Sequence, residues 1–126
     1  MVTGRTRVLV VDDDDAVRHS VILALERFGY TVNGACDGEE CILLQENSPY
    51  DIAIIDMMMP NKDGIETIRE LKEKFPDLRI IAMSGASAFA KINYLEVAML
   101  IGATATLQKP FGGDELANAL KEFAPA

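Results

Sequence analysis

The sequence has no tryptophan, only two cysteines and one histidine among its 126 residues, and no long apolar run. Cys36 and Cys41 show no metal-type spacing with His19, so we interpret them as small buried hydrophobes in a reducing compartment. No apolar stretch approaches the roughly 20 residues that cross a bilayer, and the N-terminus lacks a signal-peptide core. We therefore expect a cytoplasmic protein that does not enter a membrane.

Positive charge is also scarce, because 12 Lys and Arg residues stand against 20 Asp and Glu residues, for a formal net charge of −8. Such an acidic protein repels nucleic-acid backbones and anionic lipid, so we expect no direct binding to either. A chain of this length can form one domain, residues 1–126, that buries a real core without disulfide or metal staples.

Short apolar runs alternate with amphipathic helical patterns along the whole chain. The runs predict three buried strands, a weaker edge strand and a last strand: Val8–Val11, Ile52–Ile55, Ile80–Met83, Thr31–Ala35 and Thr104–Gln108. Five β-α units of this kind predict an α/β fold, a doubly wound parallel sheet of five strands flanked by five helices. Asp14 and Asp15, which follow the first strand, are expected to cap the next helix and complement its dipole.

Polar residues stand where the predicted strands end: Asp12, Asp13, Asp56, Ser84 and Lys109. Since ligands of open parallel sheets bind beyond the carboxyl ends of the strands, we expect these side chains to converge at one edge. Three carboxylates form a hard oxygen site that suits Mg²⁺, or Mn²⁺. With a lysine and a hydroxyl opposite, one carboxylate could act as the nucleophile of a phosphoryl transfer.

These residues belong to the motifs VLVVDDD, DIAIIDMMMPNKDG, IIAMSG and LQKPF, through which nearly the whole chain resembles the receiver domains of two-component response regulators. The resemblance implies a flavodoxin-like strand order 2-1-3-4-5 and a phosphoacceptor role for Asp56. It further implies that Asp12, Asp13, Asp56 and the backbone carbonyl of Met58 hold the metal ion. The protein would then be a signalling protein that catalyses only its own phosphorylation and dephosphorylation.

The same resemblance implies that Ser84 and Lys109 bind the phosphoryl group and that the peptide bond before Pro110 is cis. The phosphoryl donor would be a sensor histidine kinase or a histidine phosphotransfer protein. Thr106 departs from the family pattern, because family members usually carry an aromatic residue there that changes position on phosphorylation. We therefore expect the acceptor chemistry to be kept and the aromatic switch to be replaced.

The resemblance places the output face on the helix Ile92–Ile101, the fifth strand and the last helix, where a downstream protein or a second copy would bind. That helix is apolar on most sides, and we expect its core-facing side to be formed by Ile92, Leu95 and Met99. The chain stops at Ala126 without an output domain. It is therefore either a stand-alone receiver that signals through protein contacts or part of a longer protein.

Two other functions remain open from the sequence. A haloacid-dehalogenase-type phosphatase would use Asp12 as nucleophile with Asp14, Ser84 and Lys109, but this interpretation leaves Asp56 unexplained and lacks an acidic metal pair at the right spacing after the lysine. A receiver-like binding module that takes no phosphate would keep the fold without the chemistry. Thr106 is the one feature in its favour.

Overall fold

The computed structural model describes residues 6–59, 63–85 and 93–121. Strands and helices alternate through these ranges: β1 (Arg7–Val11), α1 (Asp15–Arg27), β2 (Thr31–Ala35), α2 (Gly38–Asn47), β3 (Ile52–Asp56), α3 (Gly64–Lys74), β4 (Arg79–Gly85), α4 (Tyr94–Ile101), β5 (Ala105–Lys109) and α5 (Gly113–Lys121). In this part of the chain no helix has the length and apolarity needed to span a bilayer.

The five strands form one parallel sheet in the order β2-β1-β3-β4-β5. This arrangement confirms the predicted α/β fold and strand order. The three inner strands are almost entirely buried, as near-continuous apolar runs require, whereas β2 lies at an edge and alternates in exposure. The winding reverses between β1 and β3, so the carboxyl end of the sheet has a crevice at that point.

The core has two parts, one on each face of the sheet, because successive strand side chains point to opposite faces. Leu9 and Ile55 belong to the face covered by α2, α3 and α4. Val10 and Ile54 belong to the face covered by α1 and α5. With both faces covered, the polar groups that follow the strands are held at the sheet edge by a rigid layer.

Four helices begin at a residue whose side chain accepts a hydrogen bond from the backbone of the first helical turn: Asp14, Asp37, Asp63 and Asn93. Asp14 caps α1, as predicted, by accepting from the N–H groups of Ala16 and Val17. Its carboxylate is therefore used by the helix.

Two sequence predictions about burial are wrong. Met99 was placed with Leu95 on the core-facing side of α4, but only Leu95 packs there, together with the buried Ala98 and the partly buried Tyr94 and Ile101, whereas Met99 is 50% exposed. Residues 94, 95, 98 and 101 share one side of the helix, and Met99, the residue after Ala98, falls outside it. Cys36 is exposed because it follows the edge strand β2, whereas Cys41 is buried as predicted. Ile92 lies outside the described residues.

Candidate functional site

The inner strands deliver two acidic residues to the carboxyl edge of the sheet. Asp12 directly follows β1, and its N–H donates to the carbonyl of Ala35 at 3.1 Å, so strand pairing continues to this residue. Asp56 is the last residue of β3. Asp12 is fully buried and Asp56 is 5% exposed, because helices cover both sides of the strands that carry them. The fold thus places two carboxylates where water reaches them poorly.

Asp13 completes a cluster of three carboxylates. One oxygen from each of Asp12, Asp13 and Asp56 lies within 4.8 Å of the other two. Asp13 is exposed, so the cluster is open to solvent on its side. The backbone also contributes, because the N–H of Asp14 donates to Asp12 Oδ1 at 3.0 Å and the N–H of Met58 donates to Asp56 Oδ1 at 3.1 Å.

Lys109, at the end of β5, reaches across β4 to this cluster. Its Nζ lies 2.8 Å from Asp12 Oδ2 and 3.4 Å from Asp56 Oδ2. The peptide bond between Lys109 and Pro110 is cis, as the resemblance implied. The ammonium therefore contacts two of the three carboxylates, and its single positive charge does not neutralise the cluster.

Burial and neighbouring charges together shift the pKa values of Asp56 and Lys109. Burial raises the pKa of Asp56 to about 6, and the nearby Asp12 adds to the rise, while the Met58 N–H and Lys109 oppose it. Burial also opposes the charged form of Lys109. The hydrogen bond to Asp12 and the charges of Asp56 and Asp12 outweigh that effect, so the pKa of Lys109 lies above its ordinary value.

The donor set of the cluster fits a small hard cation. Carboxylate oxygens are the ligands that Mg²⁺ prefers, and it usually keeps several waters, which the exposed side at Asp13 allows. The ligand role of the Met58 carbonyl oxygen stays a prediction. Manganese(II) takes the same oxygen ligands.

Ser84 stands on the neighbouring strand beside the cluster. The preceding residue, Met83, pairs with Asp56, and its carbonyl accepts the N–H of Met57 at 2.8 Å. Ser84 is buried, and its hydroxyl donates to the carbonyl of Gly85 at 3.3 Å. The hydroxyl thus makes a weak hydrogen bond to the next residue in the chain. Another acceptor could take the place of the Gly85 carbonyl.

A close backbone contact fixes the segment that follows Asp56. A Cβ atom on Gly64 would lie 2.5 Å from Met57 Cα and 2.8 Å from the carbonyl oxygen of Asp56. Only glycine fits, and its N–H donates to the carbonyl of Met57. The start of α3 therefore packs directly on the end of β3 and limits how far Asp56 can move.

Arg18 is a neighbour of the site that sequence reasoning missed. Its Nη1 donates to the backbone carbonyl of Asp12 at 2.8 Å, and its Nη2 pairs with the carboxylate of Asp15. The Asp15–Arg18 spacing is a helical i,i+3 ion pair that could have been read from the sequence. The contact of Arg18 with the main-chain carbonyl of Asp12, in contrast, has no recognisable pattern in the sequence.

Comparisons with known proteins agree with this architecture. The family model of the response regulator receiver domain matches residues 8–121. Response regulator MprA of Mycobacterium sp. (strain KMS) is 40% identical over 111 residues, covering 87% of this chain and 46% of that protein. Sensor kinase CckA of Brucella abortus (strain 2308) is 37% identical over 123 residues, covering 96% of this chain and 13% of that protein. The chain thus spans less than half the length of these curated relatives.

Solved structures give the same result. Chemotaxis protein CheY4 of Vibrio cholerae has a TM-score of 0.84 at 27% identity, covering 94% of this chain and 98% of that one. A CheY-like response regulator receiver domain protein from Methanospirillum hungatei JF-1 has a TM-score of 0.84 at 28% identity, covering 93% and 91%. The chain therefore belongs to the response regulator receiver domain family of two-component signalling systems.

Proposed function

We propose that the protein accepts a phosphoryl group on Asp56 from a sensor histidine kinase or a histidine phosphotransfer protein, and signals by binding another protein. The observation that carries this proposal is the cluster of three carboxylates at the sheet edge with one lysine against it. Asp14, which a haloacid-dehalogenase-type reaction would need, caps α1 instead.

In the proposed reaction an oxygen of Asp56 forms a bond to phosphorus as the phosphorus–nitrogen bond of the donor histidine breaks, and the imidazole keeps the electron pair. Asp12, Asp13, Asp56 and the Met58 carbonyl would hold Mg²⁺, which supplies positive charge to the transferring phosphoryl oxygens when it is bound. Lys109 would pair with a phosphoryl oxygen from the opposite side, and the Ser84 hydroxyl would donate to another.

The surroundings of Lys109 support a protein as the phosphoryl donor. A cleft of about 650 Å³ lies between α1 and the start of α5, and Lys109 is part of its lining. Small residues of α1, Ala16, Ser20 and Ala24, line the same cleft. A donor helix could therefore approach α1 closely and bring a histidine side chain to the sheet edge.

Phosphorylation of Asp56 can be tested by intact-mass spectrometry after incubation with an acyl phosphate and Mg²⁺. We expect one added phosphoryl group, none after Asp56→Asn, and none when a chelator removes the metal. Asp77→Asn removes an exposed carboxylate at the other end of the sheet and should leave the uptake unchanged. Uptake that persists in Asp56→Asn would remove the assignment, and no uptake by the parent protein would favour a binding module without phosphate chemistry.

Magnesium binding can be tested without any phosphoryl donor. At a Mg²⁺ concentration ten times Kd, binding should stabilise the folded state by about 1.4 kcal/mol, which corresponds to a rise in Tm on the order of 5 °C. Asp13→Asn should remove most of this rise, whereas Asp114→Asn, an exposed acid at the start of α5, should keep it. A Tm of the parent protein that does not respond to Mg²⁺ counts against the metal site.

The output face can be tested at its most exposed apolar residue. Leu100 of α4 is 86% exposed, next to the half-exposed Met99. We expect Leu100→Asp to weaken binding to a downstream protein or a second copy, measured by light scattering with a phosphoryl mimic bound. Leu43→Asp, which changes an exposed leucine of α2, is the matched control. Equal association in both variants and the parent would argue against α4 as the output face.

A further inference from the structure

We propose that Arg18 is a positioning residue that orients the Asp12–Asp13 peptide and thereby sets the geometry of the metal ligands. The inference rests on the proposed function, because it concerns how the same site is assembled. It adds a residue whose contact with the cluster is made through the backbone carbonyl of Asp12.

The backbone around Asp12 is held from both sides. Its N–H donates to the carbonyl of Ala35 at 3.1 Å, and its carbonyl accepts from Arg18 Nη1 at 2.8 Å. That carbonyl belongs to the peptide that joins Asp12 to Asp13, so its direction fixes where the Asp13 side chain begins. The second guanidinium nitrogen pairs with the carboxylate of Asp15, so both of these nitrogens have an acceptor.

Gly34 supplies independent support. It lies on the edge strand β2 opposite Val10, and its backbone is not in the left-handed region that favours glycine. A Cβ atom there would come within 3.1 Å of Arg18 Cδ and 2.9 Å of Ile22 Cδ1. Because Gly34 has no side chain, the side chain of Arg18 has room to pass β2 and reach the carbonyl of Asp12.

Charge and positioning predict opposite effects of removing this arginine. If Arg18 acted only through its charge, Arg18→Met would make the acidic cluster more attractive and Mg²⁺ would bind about two- to threefold more tightly. If Arg18 positions the ligands, the same change should weaken Mg²⁺ binding about tenfold, as loss of an outer-shell partner commonly does. The sign of the change therefore separates the two roles.

The experiment measures the Kd of Mg²⁺ alone by calorimetry for the parent protein and four variants. Arg18→Met should raise Kd about tenfold, and Arg18→Lys, which keeps one donor, should restore part of the affinity. Gly34→Ala should raise Kd without any change of charge, because it displaces Ile22 Cδ1 and the aliphatic part of the Arg18 side chain rather than backbone. Arg27→Met removes one positive charge from the last turn of α1 and should leave Kd nearly unchanged.

An unchanged or lower Kd in Arg18→Met, with a metal-free Tm that shows a folded protein, would overturn the positioning role. If the parent protein binds no Mg²⁺, the proposed metal site fails, and amide exchange of Asp14 then decides about Arg18. The N–H of Asp14 donates to Asp12 Oδ1, so it reports the carboxylate position directly. Exchange about tenfold faster in Arg18→Met supports the inference, and equal exchange rates overturn it.

Discussion

Replacing Lys109 with methionine is expected to lower the free energy of unfolding of the metal-free protein by about 2–4 kcal/mol. Lys109 is the cation whose Nζ contacts both Asp12 and Asp56, and Asp12 is fully buried. Methionine keeps most of the side-chain volume, so the loss comes from leaving a buried carboxylate without its partner. The expected loss stays below that of a fully buried pair because the Lys109 side chain is 23% exposed.

Urea unfolding of the metal-free protein measures this loss. Lys74→Met is the matched control, because Lys74 also pairs with two carboxylates, Glu46 and Glu70, but on the surface where solvent screens the charges. We expect a much smaller change there. Saturating Mg²⁺ should recover more stability in Lys109→Met than in the parent, since both cations neutralise the same carboxylates. Equal stability of the parent and Lys109→Met without metal would show that Lys109 does not stabilise the buried carboxylates of Asp12 and Asp56.

Replacing Asp56 with asparagine is expected to have the opposite effect and to stabilise the metal-free protein above pH 6. Burial raises the pKa of Asp56 from its ordinary 3.8 to about 6. A shift of that size corresponds to about 3 kcal/mol at neutral pH. Asparagine has the same shape, can still accept the N–H of Met58 and carries no charge.

The sign follows from proton binding. Between about pH 4 and pH 6 the folded state holds a proton on Asp56 that the unfolded state has already lost, so stability falls as the pH rises through this window. The full penalty is present above pH 6 and absent below pH 4. Asp12 and Lys109 face the same carboxyl, and both are unchanged in the variant.

The measurement is the difference in unfolding free energy between Asp56→Asn and the parent, followed from pH 4 to pH 8 in a chelator. We expect this difference to grow from near zero to about 3 kcal/mol, whereas for Asp77→Asn it should stay flat. A difference that does not depend on pH would show that Asp56 is not held as a buried carboxylate. Addition of Mg²⁺ should narrow the gap by stabilising only the parent.

The sheet could be predicted from the sequence because its inner strands carry an unambiguous signal. Runs such as Ile52–Ile55 are apolar throughout, as strands covered on both faces must be, and each is followed by a polar residue. Once the strands are parallel, their ends share one edge, so the convergence of Asp12, Asp56 and Lys109 follows from topology. The cap role of Asp14 followed from local backbone chemistry.

The failures have local physical causes. Met99 was misplaced because α4 is apolar on most sides, so hydrophobicity alone does not define which stripe is buried. Cys36 was misplaced because the residue type favours burial while its position after an edge strand does not. Arg18 was missed because it contacts a main-chain carbonyl, and Gly34 because the room that it leaves exists only after β2 and α1 have packed.

The most direct test of the central claim is to locate the phosphoryl group on the chain. Borohydride converts an aspartyl phosphate to homoserine, and peptide mass spectrometry then identifies the modified position. After incubation with an acyl phosphate and Mg²⁺, we predict homoserine at position 56 and at no other aspartate. Homoserine at position 12, or the same modification without Mg²⁺, would contradict the proposal that a metal-assisted carboxylate cluster makes Asp56 the acceptor.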